Sequence, residues 1–208
     1  MRRPAQPAPE IPGLIGAPDV IPAHTIGATV ASTLLADGDG FETRPVASLT
    51  VDFDGVAGDR HRGATRFAGA REPWFPRGVV MRNERQVTIV ASDELADIAA
   101  ALALPEIRPE WLGANLVLRN APRLSWIPAG ARIFFDGGAV LAIEGQNAPC
   151  LAAGAAIGRH HPERTDIALS FPKVARRLRG LIGSVEVPGV IVAGSAATVR
   201  VREQWIYR

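Results

Sequence analysis

Between Thr25 and Arg208 the chain alternates short apolar runs with turn-forming clusters, and most of the runs carry the two-residue period of a strand. TIGATVASTLLA, which begins at Thr25, supplies β-branched residues for a first strand. In RPVASLTVDFDG the apolar positions Val46, Leu49, Val51 and Phe53 are spaced as a half-buried strand with one irregularity. RQVTIVASDELADIAAALAL is the clearest local signal. Gln86–Val90 reads as a strand, Ser92 as a helix N-cap followed by two acids, and Leu95, Ile98, Ala99 and Leu102 as one helical face that Pro105 terminates. NLVLRN, ARIFFDGGAVLAIEG and VIVAGSAATVRVREQ read as short strands, the second folded back at a Gly137–Gly138 turn. KVARRLRGL predicts a second helix.

Strands outnumber helices and do not alternate with them regularly. The expected fold class is therefore mainly β, α+β: an antiparallel, barrel-like sheet with a few flanking helices rather than a doubly wound sheet. Residues 1–24 hold six prolines and little periodicity, which predicts an extended or disordered leader before a single domain over 25–208. The polar, glycine-rich stretch from Asp54 to Arg77 is too long for a turn and predicts a functional or mobile loop.

At 208 residues and 47% hydrophobic, the chain can bury a substantial core. The net charge of +2 gives no reason to expect nucleic acid as a partner. No run approaches the roughly 18 apolar residues of a membrane span, so no membrane partner is expected. With one cysteine there is no internal disulfide, and the cytoplasm is the default location. The 23 basic residues include a single lysine, Lys173, so a Schiff base to pyridoxal phosphate would have only that amine to use.

Two stretches carry candidate chemistry. In QNAPCLAAGAAIG, Asn147 is a candidate cap for a short helix, with Pro149 in its first turn. Cys150 would then lie over the helix N-terminus, whose unpaired N–H groups favour a thiolate able to attack sulfur or bind soft metals. The alternative is a small buried hydrophobe, as most free cysteines are. In DFDGVAGDRHRGATR, Gly55, Gly58 and Gly63 surround Asp59, Arg60, His61 and Arg62, a set that can close on an anion or stand as a self-neutralised solvated loop. His61 is a candidate proton shuttle for Cys150. His160-His161 makes a poor metal site, because adjacent side chains point apart and no further ligands follow at useful spacing.

DGVAGDRHRG, RQVTIVASDEL, LGANLVL, a strand ending in APC, and RGLIGSVEVPGVIVAG follow one another in the order and spacing of the MOSC domain, the family named for the C-terminal domain of molybdenum cofactor sulfurase. The resemblance runs from about Val46 to Val201. It implies a β-barrel-rich fold that binds molybdenum cofactor (molybdopterin) or handles sulfur for metal–sulfur chemistry. It also implies that Cys150 is either a persulfide sulfur carrier or a molybdenum ligand. Two positions depart from the family pattern: Gly113-Ala114-Asn115 stands where G-E-N is common, and Gly194-Ser195 where G-D is common. The aminotransferase-like domain that uses pyridoxal phosphate in full sulfurases is absent, so that cofactor is not expected in this chain.

For a phosphate-bearing pterin, arginine offers bidentate bonds and ring stacking. The candidate cofactor-binding residues are Gly58, Asp59, Arg60, His61 and Arg62 in the glycine loop, Arg82 and Arg85 before the strand, Asn115, and Arg179 with its neighbours Arg176 and Arg177. The last group reads equally as a solvated basic helix face, and Asn115 equally as a turn residue. Three functions follow in order. The first is a molybdenum-cofactor-binding protein that carries sulfur or ligates molybdenum through Cys150, acting as a sulfurtransferase or as part of a molybdenum-dependent reductase. The second is a cysteine-dependent hydrolase using Cys150 and His61, with Asp59 as orienter. The third is a non-catalytic binding module. Expected partners are the cofactor or its enzymes and sulfur-donor or electron-transfer proteins, since the chain has no iron–sulfur, flavin or haem signature of its own.

Overall fold

The computed structural model describes residues 19–205. Seven strands close into a barrel: His24–Leu35, Val87–Ala91, Leu116–Arg119, Arg132–Phe135, Val140–Gln146, Leu181–Val187 and Ala196–Val201. Closure comes from the antiparallel ladder that sets Thr29 opposite Ala196 and His24 opposite Val201, so the barrel has no free edge there. The neighbouring pairs are antiparallel except one. Val87–Ala91 and Leu116–Arg119 run parallel, in a register that pairs Ile89 with Leu116 and Ala91 with Leu118. A parallel pair needs a crossover, and helix α1 (Ser92–Ala101) supplies it.

Alternation along these strands sorts two cores. Val87, Ile89, Ala91, Leu116 and Leu118 point into the barrel with Ile133, Leu141, Ile143, Leu181 and Val199. Val90 and Val117, one position out of phase, face outward and pack with Leu34, Leu95, Ile98, Leu112, Ile157 and Phe171 beneath the helices. Strands covered on both faces read as continuous apolar runs, as QVTIVA does. The helical layer is completed by α2 (Leu151–Arg159) and α3 (Ile167–Val174). These two approach so closely that a Cβ on Gly154 would stand 2.8 Å from the Ala168 carbonyl oxygen. The predicted barrel with few flanking helices is the fold observed.

Several local expectations are corrected. The strand holding Leu49 and Val51 ends at Asp52, whose carboxylate accepts the Asp54 backbone N–H at 2.9 Å in a tight turn, so Phe53 projects outward with 66% exposure. The Asp54–Arg77 stretch is not a bare loop. Gly55–Val56 pairs with the Ser48–Asp52 strand, and Thr65–Phe67 forms a hairpin with Val80–Arg82. The N-cap of α1 is Ala91, one residue before Ser92, and the Ser92 hydroxyl donates to the Leu118 carbonyl oxygen instead.

The second predicted helix is also shifted. α3 ends at Val174, Arg177 adopts a left-handed φ of 65°, and Leu181 already begins a barrel strand. Gly180 makes the entry to that strand possible, because at its φ of 88° a Cβ would overlap the Ile89 carbonyl oxygen. Of the expected leader, residues 1–18 lie outside the described residues, while Val20–Ile21 pairs antiparallel with Gln204–Trp205. Among the described residues no helix is long and apolar enough to cross a membrane.

Candidate functional site

Cys150 is itself the N-cap of α2, with extended backbone angles (φ −139°, ψ 163°), and its carbonyl accepts the Gly154 N–H at 3.1 Å. This corrects the expectation that Asn147 caps the helix, with Pro149 in its first turn. The helix starts later, and Asn147 is used elsewhere. The buried Asn147 side chain accepts a hydrogen bond from Arg85 Nη2 at 2.8 Å, and its backbone N–H donates to the Gly180 carbonyl at 2.9 Å. The free thiol of Cys150 is half-buried at the margin of the helical core.

Two arginines share the electrostatic field of Cys150. Arg179 is 5% exposed, at the start of the turn into the Leu181–Val187 strand, and so is no part of a solvated helix face. Its Nη2 donates to the Leu112 carbonyl at 2.7 Å, whereas Nε and Nη1 are buried with no hydrogen-bond partner. Burial pulls its pKa down to about 10; Cys150 opposes that fall, and Arg71 and Arg85 add to it. Arg85 is pulled down to about 10 as well, by burial first and then by the like charges of Arg71 and Arg66, with Glu72 and Cys150 acting in the other direction. Glu72 is already paired: Arg66 Nη2 donates to it, and it accepts the Gly69 N–H at 2.9 Å. Unpartnered buried guanidinium nitrogens are costly unless an anion satisfies them.

The glycine loop closes on an anion of its own. Asp59 is buried and accepts from Ala36 N (2.9 Å), His61 N (2.8 Å), His61 Nδ1 (2.9 Å) and Asn115 Nδ2 (2.7 Å). Burial alone would raise its carboxyl, but the hydrogen bonds from His61 and Ala36 outweigh that and hold it below its ordinary value. Gly58, with φ of 78°, makes the turn that aims Asp59 inward. Arg60 donates to the carbonyls of Gly40 and Phe41, and Arg62 pairs with Asp52 at 2.6 Å and Asp54 at 3.4 Å. Asn115 also accepts the Thr88 N–H at 3.0 Å, which makes it an internal brace between strands. Arg82 pairs with Glu144 at 2.7 Å and donates to Ser184.

The structure therefore sets Arg85 and the Arg179–Gly180 turn against Asn147, three residues before Cys150, and gives Arg60, Arg62, Arg82, Asp59 and Asn115 other partners. The His61 ring bonds Asp59, and no hydrogen bond among the described residues joins it to Cys150. The glycine loop nevertheless adjoins the site through Asn83. Its Nδ2 donates to the carbonyls of His61 (2.9 Å) and Gly63 (3.0 Å), and its Oδ1 accepts the Arg85 N–H (3.0 Å). Sequence reasoning missed Asn83, Asn147 as the partner of Arg85, and Arg66 and Arg71. Only the density of arginines from 60 to 71 hinted at the last two. His160 stacks on Trp111 with centroids 4.3 Å apart and meets Glu42 at 3.1 Å. No group of three or more metal-ligating side chains occurs among the described residues.

Comparison with known proteins agrees with the order of motifs. YuaD of Bacillus subtilis (strain 168), named for metal-sulfur cluster biosynthesis, is 38% identical over 174 residues, which span 84% of this chain and 91% of YuaD. The crystal structure of the YUAD protein from Bacillus subtilis superposes with a TM-score of 0.84 at 37% identity, covering 86% of this chain and 98% of that one. YiiM from Geobacillus stearothermophilus, at 14% identity and a TM-score of 0.54 over 87% of this chain and 76% of its own, shares the fold. The MOSC domain family matches residues 58–198. The chain belongs to the MOSC domain family.

Proposed function

We propose that this protein handles sulfur for metal–sulfur chemistry through Cys150, binding molybdenum cofactor and either carrying sulfur as a Cys150 persulfide or ligating molybdenum through the thiolate. The observation that carries the reading is Arg179, a guanidinium buried within electrostatic reach of the only thiol and left with two unpartnered nitrogens. Those donors fit the phosphate of a pterin cofactor, which forms charge-assisted bonds with guanidinium forks. When bound, the cofactor would supply the metal and its sulfur ligands. Arg179 and Arg85 would hold its anionic end, Asn147 would fix the Arg85 fork, and Cys150 at the head of α2 would present the reacting sulfur. The name of the 38% identical YuaD, metal-sulfur cluster biosynthesis, supports the same class of chemistry.

A cysteine hydrolase would need His61 to take the Cys150 proton. The Asp59–His61 pair that such an enzyme requires is formed at 2.9 Å through Nδ1, but among the described residues no hydrogen bond joins the ring to Cys150. The sulfur reading is preferred on that ground. Its test is purification from a host that makes molybdenum cofactor, followed by metal and pterin analysis of wild type and Cys150→Ser. Molybdenum lost in the variant supports ligation. Pterin retained in both, with a mass increment of about 32 Da only in the wild type, supports the carrier role. Equal molybdenum in both samples without any sulfur adduct overturns both roles.

A further inference from the structure

The charges around Cys150 do not cancel. Arg85 donates to Asn147 at 2.8 Å and the Asn147 N–H donates at 2.9 Å to the carbonyl of Gly180, the residue after Arg179, so both arginines flank the segment that leads into Cys150. Glu72 neutralises Arg66. Arg71 has no carboxylate partner among the described ion pairs, and neither do Arg85 and Arg179. The open valences of Arg179, Nε and Nη1, lie on a side chain only 5% exposed. They are donors that the fold itself does not use, and a small oxyanion is the group whose charge and size match them. The shared chemistry called for is a tetrahedral oxyanion. The phosphate of the cofactor is one source. A sulfur oxyanion that brings its own transferable sulfur is another, and it alone places a reactive atom beside the thiol.

We propose that the Cys150 site takes thiosulfate as a sulfane-sulfur donor, with the sulfonate oxygens on Arg179 and Arg85 and the outer sulfur facing Cys150 Sγ. This deepens the sulfur-carrier reading above and rests on it. The Cys150 thiolate attacks the outer sulfur of thiosulfate, a new S–S bond forms on Sγ, and the S–S bond of the donor breaks. Its electron pair leaves with the SO3 group as sulfite. Cys150 persulfide remains, and no external oxidant, reductant or proton is consumed. The guanidiniums that bind the dianionic donor also stabilise the charge that collects on sulfite as it departs. They contribute most where they are desolvated, as Arg179 is.

The experiment incubates the full-length, reduced protein with thiosulfate and follows sulfite release and intact mass together. One sulfite per chain and a gain of about 32 Da are expected in the wild type, and neither in Cys150→Ser. Arg179→Gln should slow the reaction at subsaturating thiosulfate by about tenfold or more, while reaction with a neutral organic trisulfide changes far less. If Arg179→Gln does not fold, the same comparison is made on Arg85→Gln, and on the wild type with sulfate as a competitor, which should inhibit competitively. Sulfur transfer from the trisulfide (a Cys150 mixed trisulfide forms with loss of the organic thiolate, and a second thiol then releases the persulfide) but not from thiosulfate overturns this proposal and leaves Cys150 a sulfur carrier. Absence of persulfide from every donor overturns the carrier reading itself. Sulfate or phosphate binding with no sulfite release assigns the two arginines to the cofactor phosphate and overturns the donor role. An Arg179→Gln rate equal to wild type overturns the placement of the sulfonate on Arg179.

Discussion

Arg85 and Asn147, 62 residues apart in the chain, meet side chain to side chain with Arg85 Nη2 donating to Asn147 Oδ1 at 2.8 Å. Each comes from the end of a different element, Arg85 just before the Val87–Ala91 strand and Asn147 just after Val140–Gln146. The bond brings together the entrance of one barrel strand and the segment that carries Cys150 into α2. Asn147→Ala removes the acceptor from a buried cation. The expected cost is about 1.5–3 kcal/mol, the usual range for a hydrogen bond to a charged group. Chemical denaturation checks it, and an unchanged midpoint would show that the bond does not order this corner.

Gly180 is the tightest position near the site. A methyl group there would overlap the Ile89 carbonyl oxygen, and the φ of 88° disfavours any side chain. Gly180→Ala should destabilise the fold by more than about 3 kcal/mol, combining backbone strain with a steric clash. Thermal unfolding monitored by circular dichroism reads this directly. Gly130, also left-handed at φ 87° but with open space around it, is the control and should lose only about 1 kcal/mol when changed to Ala.

The acid side of the stability curve should report Asp59. Its carboxyl is held below the ordinary 3.8 when folded. The folded state therefore prefers the ionised form, and that stabilisation is present above pH 3.8 and lost as the pH falls through the lower, folded value. Asp59→Asn should flatten this limb. At neutral pH it should cost about 2–4 kcal/mol, because an amide turns a donor towards Ala36 N or Asn115 Nδ2, which themselves donate. Urea unfolding at a series of pH values distinguishes the outcomes, and parallel curves for the two proteins would exclude Asp59 as the source.

Glu94 predicts the opposite sign. Burial raises its carboxyl above 4.5, although the hydroxyl and N–H of Ser125 partly oppose the rise. Ionised Glu94 therefore costs the folded state above its folded pKa, and the cost is relieved as the pH falls through that value towards 4.5. The stability of the wild type relative to Glu94→Gln should accordingly improve with acidification. A gap between the two that stays constant with pH would refute this assignment.

Much of the barrel was legible because its rule is local. Ile89, Leu116 and Leu118 face inward by simple alternation, and the Leu95–Ile98–Leu102 stripe of α1 lies on its core as spaced. Gly138 makes the predicted turn with a φ of 82°. The position of Cys150 at the head of a helix was also readable, within the few residues by which caps are commonly misjudged. What stayed hidden depends on closure of the sheet. RRLRG resembles an exposed basic face, and only the left-handed turn at Arg177 and the tight entry at Gly180 send Arg179 inward. DGVAGDRHRG resembles an anion cradle. Only the folded chain shows that Asp59 fills it from within, with donors from Ala36 and Asn115, which lie 23 and 56 residues away.

Asn83 gives the molecule a mechanical coupling. One amide grips the His61 carbonyl with its nitrogen and the Arg85 backbone with its oxygen, so neither can shift without pulling the other. A ligand that draws the Arg85 fork forward would tug the imidazole loop through that single side chain. His61, whose ring makes no hydrogen bond to Cys150 among the described residues, should thus register a ligand held by Arg85 as a change in its NMR resonances.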